Sequence, residues 1–168
     1  MANFIFLDID GVMNNRRDWM SKVNNKTEQF FEHRMFCDNA WQLLSDTCKK
    51  INASIILSSS WRLGFTYGQD SKIVVENPEC PLSTKLLEYF NKYNINLVGI
   101  TSKSWAPRGE QIMEYVKEAF EDSDKFVVID DESFDIREYV SEDQFIKTEF
   151  ETGLLPKHCK KIINYFNN

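Results

Sequence analysis

A chain of 168 residues that is 42% hydrophobic and 14% aromatic buries roughly 70% of the surface its unfolded form exposes, enough for one α/β domain that needs no disulfides. Its net charge of −6 argues against wholesale electrostatic binding of nucleic acid, although acids gathered at one site would account for part of the excess and leave room for a local basic patch. Cys37, Cys48, Cys80 and Cys159 form no CxxC pair and only His33 and His158 could join them, which disfavours a zinc or disulfide framework.

The N-terminus enters a core-like strand almost at once, with no basic segment leading into an apolar signal stretch. No apolar run approaches membrane-spanning length. The expectation is a reduced, cytoplasmic protein with no membrane partner. From there, short apolar runs alternate with helical patterns, the signature of βα units winding a parallel sheet. Strands are predicted at 4–7, 54–57, 96–100, 126–129 and 144–146. Those inside the sheet read as continuous apolar runs, as strands buried on both faces do. Asp38 is a candidate cap for a helix with Trp41, Leu44, Cys48 and Ile51 on one face, and Ser83 for another that turns Leu86, Leu87 and Phe90 inward. A third helix begins near Pro107 and buries Ile112, Tyr115, Val116 and Phe120. A last one spans 156–166. Right-handed crossovers between such units give a three-layer α/β sandwich with a parallel, Rossmann-like sheet whose strand ends gather on one edge. Residues 1–168 read as a single domain. Segments 11–36 and 62–79 are too short for a globular cap once the crossover helices are set aside. An open site follows, with a small flap at about 12–36.

Four strand ends carry polar clusters. After the first come Asp8, Asp10 and Gly11: two acids one residue apart, then a residue that permits a tight turn. Two such charges about 4 Å apart repel by roughly 4 kcal/mol at an effective dielectric near 20, which invites a cation or a shared proton. A calcium loop of EF-hand type is excluded because Val12 stands where a ligand belongs. After the second strand, Ser58, Ser59 and Ser60 precede Trp61 and Arg62, offering hydroxyls and N–H groups for phosphate oxygens or, alternatively, a helix cap. No GxSxG elbow supports a serine hydrolase. Arg108 opens a helix, where the dipole disfavours a cation by about 0.3–1 kcal/mol, so neighbouring anions should compensate. The fourth strand ends in Asp130, Asp131, Glu132 and Asp135, oxygen donors of the kind magnesium prefers.

The ordered set FLDIDGV, ILSSSWR, PRGEQI and VVIDDESFD resembles the four motifs of the haloacid dehalogenase (HAD) superfamily of phosphotransferases. Within it, SSSWR, RGEQI and IDDESFD look most similar to the HAD phosphatase domain of multidomain RNA-repair proteins, and more distantly to polynucleotide 3′-phosphatases. The resemblance implies Asp8 as nucleophile and Asp10 as general acid and base. It implies Ser58, with Ser59 as the alternative, as the phosphate-binding hydroxyl. Arg108 falls in a place more often held by lysine and would bind phosphate. Magnesium would be held by Asp8, Asp10 through its backbone carbonyl, and Asp131, with Asp130 and Asp135 in support. Catalysis would run through an aspartyl-phosphate, splitting one hard displacement into two easier ones.

Absence of a cap leaves room for a 3′-phosphorylated RNA or DNA end. Arg16, Arg17, Lys22 and Lys26 would contact neighbouring phosphates, Trp19 would stack on a base, and Arg62 would hold the next backbone phosphate. Two competing readings are a phosphatase for free nucleotides or other small phosphomonoesters, and a catalytically silent binding module. A separate kinase or ligase is a further candidate partner.

Overall fold

The computed structural model describes residues 1–24, 36–133 and 135–168, without the side chains of 22–24. Residues 25–35 of the expected flap, Lys26 among them, and the Lys22 side chain lie outside the described residues. Five strands, β1 (Asn3–Leu7), β2 (Ala53–Leu57), β5 (Leu97–Ile100), β6 (Lys125–Asp130) and β7 (Phe145–Lys147), form a sheet in the order β5-β2-β1-β6-β7. Every pairing in it is parallel. The expected parallel α/β sandwich is therefore present, and each predicted strand falls within a residue or two of its place.

Alternation along these strands separates two apolar faces. Ile5, Leu7, Ile55, Leu57, Val127 and Ile129 turn to one side. They pack there against α2 (Asp38–Ile51), α3 (Pro81–Lys92) and α6 (Pro156–Asn167), with Trp41, Leu44, Phe90 and Ile162 buried in the contact. Phe6, Ile56, Phe126, Val128 and Phe145 turn to the other side, where Ile112 of α4 (Arg108–Ala119) and Ile136 of α5 (Ile136–Tyr139) cover them. Each fully buried apolar side chain of this size contributes roughly 1.5–3 kcal/mol, so the two faces dominate the folding free energy.

Two caps differ from expectation. Asp38 is the first residue of α2 rather than its cap, which is Cys37; its carboxylate instead accepts hydrogen bonds from Lys92 and Tyr93. Ser83 lies inside the first turn of α3, after Cys80 and Pro81, and is buried with its hydroxyl toward Cys80 Sγ. Proline in the first turn supplies the start that the serine was expected to give. The insertion after β2 holds a short 3-10 helix (Ser60–Gly64) and an antiparallel hairpin, β3 (Phe65–Tyr67) with β4 (Ile73–Val75). That hairpin covers the open side of β5: the Tyr67 hydroxyl accepts the Ile100 N–H at 3.3 Å. It thereby occupies one of the unpaired groups an edge strand presents. All four cysteines are free. Among the described residues no helix is long and apolar enough to cross a membrane.

The chain passes from β1 outward through β2 to β5, then returns to the other side of β1 for β6. In open parallel sheets the crevice for ligands opens at such a reversal, beyond the carboxyl ends of the strands.

Candidate active site

Pairing continues one residue beyond each strand. Asp8 N–H donates to Ile129 O, Ser58 N–H to Leu7 O, Thr101 N–H to Leu57 O and Thr148 N–H to Asp130 O, all at 2.9–3.0 Å. Neighbouring strand ends are thus locked in register, and Asp8, Ser58, Thr101 and Asp130 stand buried along one edge. At the reversal, carboxylate oxygens of Asp8, Asp130 and Asp131 lie within 4.8 Å of one another.

Arg108, first residue of α4, reaches into this group and donates from Nη1 to Asp8 Oδ1 at 2.8 Å and to Asp130 Oδ2 at 2.6 Å. Those carboxylates supply the compensation that a cation at a helix N-terminus requires. Burial works against the charge of Arg108, but Asp130 and Asp8 outweigh it and raise its pKa. Burial also pushes Asp8 upward, against the lowering pull of Arg108. Asp130 is pushed up to about 7 by burial and the charge of Asp8, and Asp131 to about 6 by the same two causes. Three clustered acids facing one guanidinium leave surplus negative charge in a poorly solvated place, and every donor is a hard oxygen. Such a set fits a divalent cation such as magnesium.

Asp135, expected near the metal, is engaged elsewhere: it accepts the N–H of Gly109 at 2.9 Å and of Glu110 at 3.2 Å, capping α4 from outside the helix. Asp10 is exposed. Its Oδ1 accepts from Asn14 Nδ2 at 2.8 Å and its Oδ2 from the Trp61 indole N–H at 2.9 Å. Asn14 in turn accepts the Gly11 N–H at 3.0 Å. The two acids of the DxD pair are thus separated by environment. Asp8 sits in the buried cluster, and Asp10 is held at its mouth by two donors.

Ser58 and Ser59 are buried, and among the described residues neither Oγ has a hydrogen-bond partner; Thr101 Oγ1 is in the same condition. Ser59 lies near enough to Asp8 to favour its ionised form, without a bond of ordinary geometry. Orphaned buried hydroxyls cost about 1–3 kcal/mol each, which an incoming acceptor would recover. Both serines remain candidates for phosphate, and Thr101 joins them. Arg62 is buried, and it donates from Nε to Ser102 O at 2.8 Å and from Nη1 to Ser59 O at 3.0 Å. Its guanidinium ties the end of β2 to the loop after β5. On α1 (Arg16–Asn24), Arg16 forms an exposed ion pair with Glu151, and Trp19 is half exposed.

Sequence reasoning missed Asn14, Trp61, Thr101 and Thr148 as contributors. Trp61 lay inside the SSSWR motif, and Asn14 four residues after Asp10, but nothing local signals that either meets Asp10. Thr148 Oγ1 donates to Gly11 O at 2.9 Å across most of the chain. Only the sheet brings those residues together.

Comparison with curated proteins and with solved structures gives no significant match. The sequence profile of the HAD domain in Swiss Army Knife RNA repair proteins matches residues 4–159, spanning β1 to the first turn of α6 and with them all four strand-end clusters. HAD domains are in general phosphatases and related hydrolases that use a divalent metal, and the Asp8, Asp130 and Asp131 cluster can hold one. On its sequence profile, its five-stranded parallel sheet and its edge of acids, this chain belongs to the family of HAD domains found in Swiss Army Knife RNA repair proteins.

Proposed function

We propose that the chain is a magnesium-dependent phosphomonoesterase that removes the 3′-phosphate from an RNA or DNA end through an aspartyl-phosphate on Asp8. The observation that carries the chemistry is the grouping of Asp8, Arg108, Asp130 and Asp131 at the reversal of the sheet. Family membership supports a phosphorylated nucleic acid as substrate, and the free cysteines suit a reducing compartment such as the cytoplasm.

Asp8 attacks phosphorus, forming a carboxylate-to-phosphorus bond as the ester bond to the leaving oxygen breaks. Asp10 gives that oxygen its proton. In the second half, Asp10 takes a proton from water as the water attacks phosphorus, which releases inorganic phosphate and restores Asp8. Arg108, already on Asp8, donates to phosphate oxygens as well and offsets charge there. The orphaned hydroxyls of Ser58, Ser59 and Thr101 donate to the same oxygens. Magnesium, held by Asp8, Asp130 and Asp131, would supply charge neutralisation at the phosphate.

The test is phosphate release in the presence of magnesium from matched oligonucleotides with a 3′- or a 5′-phosphate, and from a 3′-mononucleotide, at two salt concentrations. The expected result is highest kcat/KM on the 3′-phosphorylated oligonucleotide, falling with salt as counterion release requires. Equal efficiency on oligomer and mononucleotide, without salt dependence, favours a small-metabolite phosphatase. No release from any substrate favours the silent module.

A further inference from the structure

Trp105 is fully exposed, at a relative accessibility of 104%, and makes no hydrogen bond or ring contact among the described residues. Scattered surface aromatics need no explanation on their own. The backbone beneath this one is, however, fixed on both sides. Gln111 is buried in α4, and its side-chain amide donates to Ser104 O at 3.0 Å and to Ala106 O at 2.7 Å, the two carbonyls that flank Trp105. Ser104 Oγ accepts the Ala106 N–H at 3.4 Å and shares a hydrogen bond with Ser102 Oγ at 2.9 Å.

The same loop, residues 102–107, is tied to the serine segment after β2. Arg62 binds Ser102 O, and Lys103 Nζ donates to Leu63 O at 3.4 Å while pairing with Glu76. Leu63 is itself exposed. An exposed aromatic and an exposed aliphatic side chain thus stand on two hydrogen-bonded loops, the second of which directly follows Ser58 and Ser59 in the chain. Trp105 precedes Arg108 by three residues, so their Cα atoms lie within about 11 Å of each other. A base attached to a 3′-phosphorylated ribose is one sugar away from the phosphate that Arg108 would meet.

We infer that Trp105 is a stacking platform for the terminal base of the phosphorylated strand, held ready by Gln111, Arg62 and Lys103. This rests on the nucleic-acid reading of the site and deepens it, making Trp105 the residue that distinguishes a nucleotide end from other phosphomonoesters. An indole face accepts any base, because every base offers a π-face. The platform therefore selects for a base without selecting which one. Fixing the loop in advance removes ordering cost from binding.

Binding is measured without turnover, in the Asp8→Asn background, by titrating 3′-phosphorylated oligonucleotides that carry either a normal or an abasic terminal nucleotide. Competition by inorganic phosphate reports the anion site alone. Trp105→Ala is expected to weaken binding of the normal oligonucleotide about tenfold or more and to leave the abasic oligonucleotide and inorganic phosphate unchanged. Trp105→Phe should recover most of the loss. Because the side chain is fully exposed, thermal midpoints should match the parent. Equal binding of normal and abasic ends by the parent, or no loss in Trp105→Ala, overturns the inference. Phosphate release in the Asp8 protein is scored separately, so a failed phosphatase reading is distinguishable from a failed stacking platform.

Discussion

Asp8 and Asp10 are one residue apart in the chain and occupy opposite conditions: Asp8 is buried against Arg108, while Asp10 stands exposed between Asn14 and Trp61. That difference fits a nucleophile kept from bulk water and a proton carrier that must exchange with it. Asp8→Asn is expected to abolish phosphate release while preserving the far-UV spectrum and thermal midpoint, since the amide matches the carboxylate in shape but cannot form the acyl-phosphate. Release near the parent rate would remove Asp8 from the nucleophile's role. Trp61→Phe keeps the aromatic contact with Phe36 but loses the donor to Asp10. Its kcat should fall about tenfold on substrates with poor leaving groups and little on an activated aryl phosphate, because only the former need a well-aimed proton. A uniform loss on both classes would instead indicate a structural role.

At the scale of single elements, the turn after β1 depends on Gly11. It adopts φ +69°, and a Cβ added there would lie 2.3 Å from the Asp131 carboxyl carbon. Gly11→Ala must therefore strain the backbone and displace a candidate metal ligand. The expected outcome is a loss of about 1–3 kcal/mol in urea unfolding, with turnover falling beyond detection. Helix α6 carries a second element-scale device. His158 is buried and accepts the Leu155 N–H on Nδ1 at 3.0 Å. Burial, with Lys157 and Lys161 nearby, brings its pKa down to about 4. Above about pH 6.5 the imidazole is neutral in folded and unfolded chains, so its contribution is fully present. Between about 6.5 and 4 only the unfolded chain takes up the proton, and stability declines by about 1–3 kcal/mol. Urea midpoints at pH 7.5 and 5 should therefore differ more in the parent than in His158→Gln. Equal differences would show that α6 does not exclude the charged imidazole.

For the molecule as a whole, an acid cluster that can hold a divalent ion would couple metal binding to folding. A cation bound at Asp8, Asp130 and Asp131 relieves repulsion that exists only when β1 and β6 are paired. Magnesium should thus raise the thermal midpoint as well as support turnover, and excess EDTA should remove both effects. Asp131→Asn is expected to shrink the magnesium-dependent rise in midpoint. Full activity in EDTA, or a midpoint indifferent to magnesium, would count against an oxygen-bound cation at this edge.

Much of this was written into the sequence because the signals are local. Apolar runs two or more turns of chain apart, helical spacing and the motif order were enough to indicate a parallel sheet and to gather Asp8, the Ser58–Ser59 pair, Arg108 and Asp131 at its edge. Those features depend on side-chain period and on the rule that parallel strands end on one side. Tertiary structure decided what no local pattern encodes, namely which polar groups find partners. Asp135 accepts the N–H groups that open α4, and Arg62 braces the end of β2 against the loop after β5, because backbone N–H and C=O groups brought near them by packing had to be satisfied. Trp61 met Asp10 across 51 positions, and Gln111 fixed the loop under Trp105. Hydrogen bonds have a reach of about 3 Å, so a chain can display the donors and acceptors in order, but only the folded arrangement determines which of them meet.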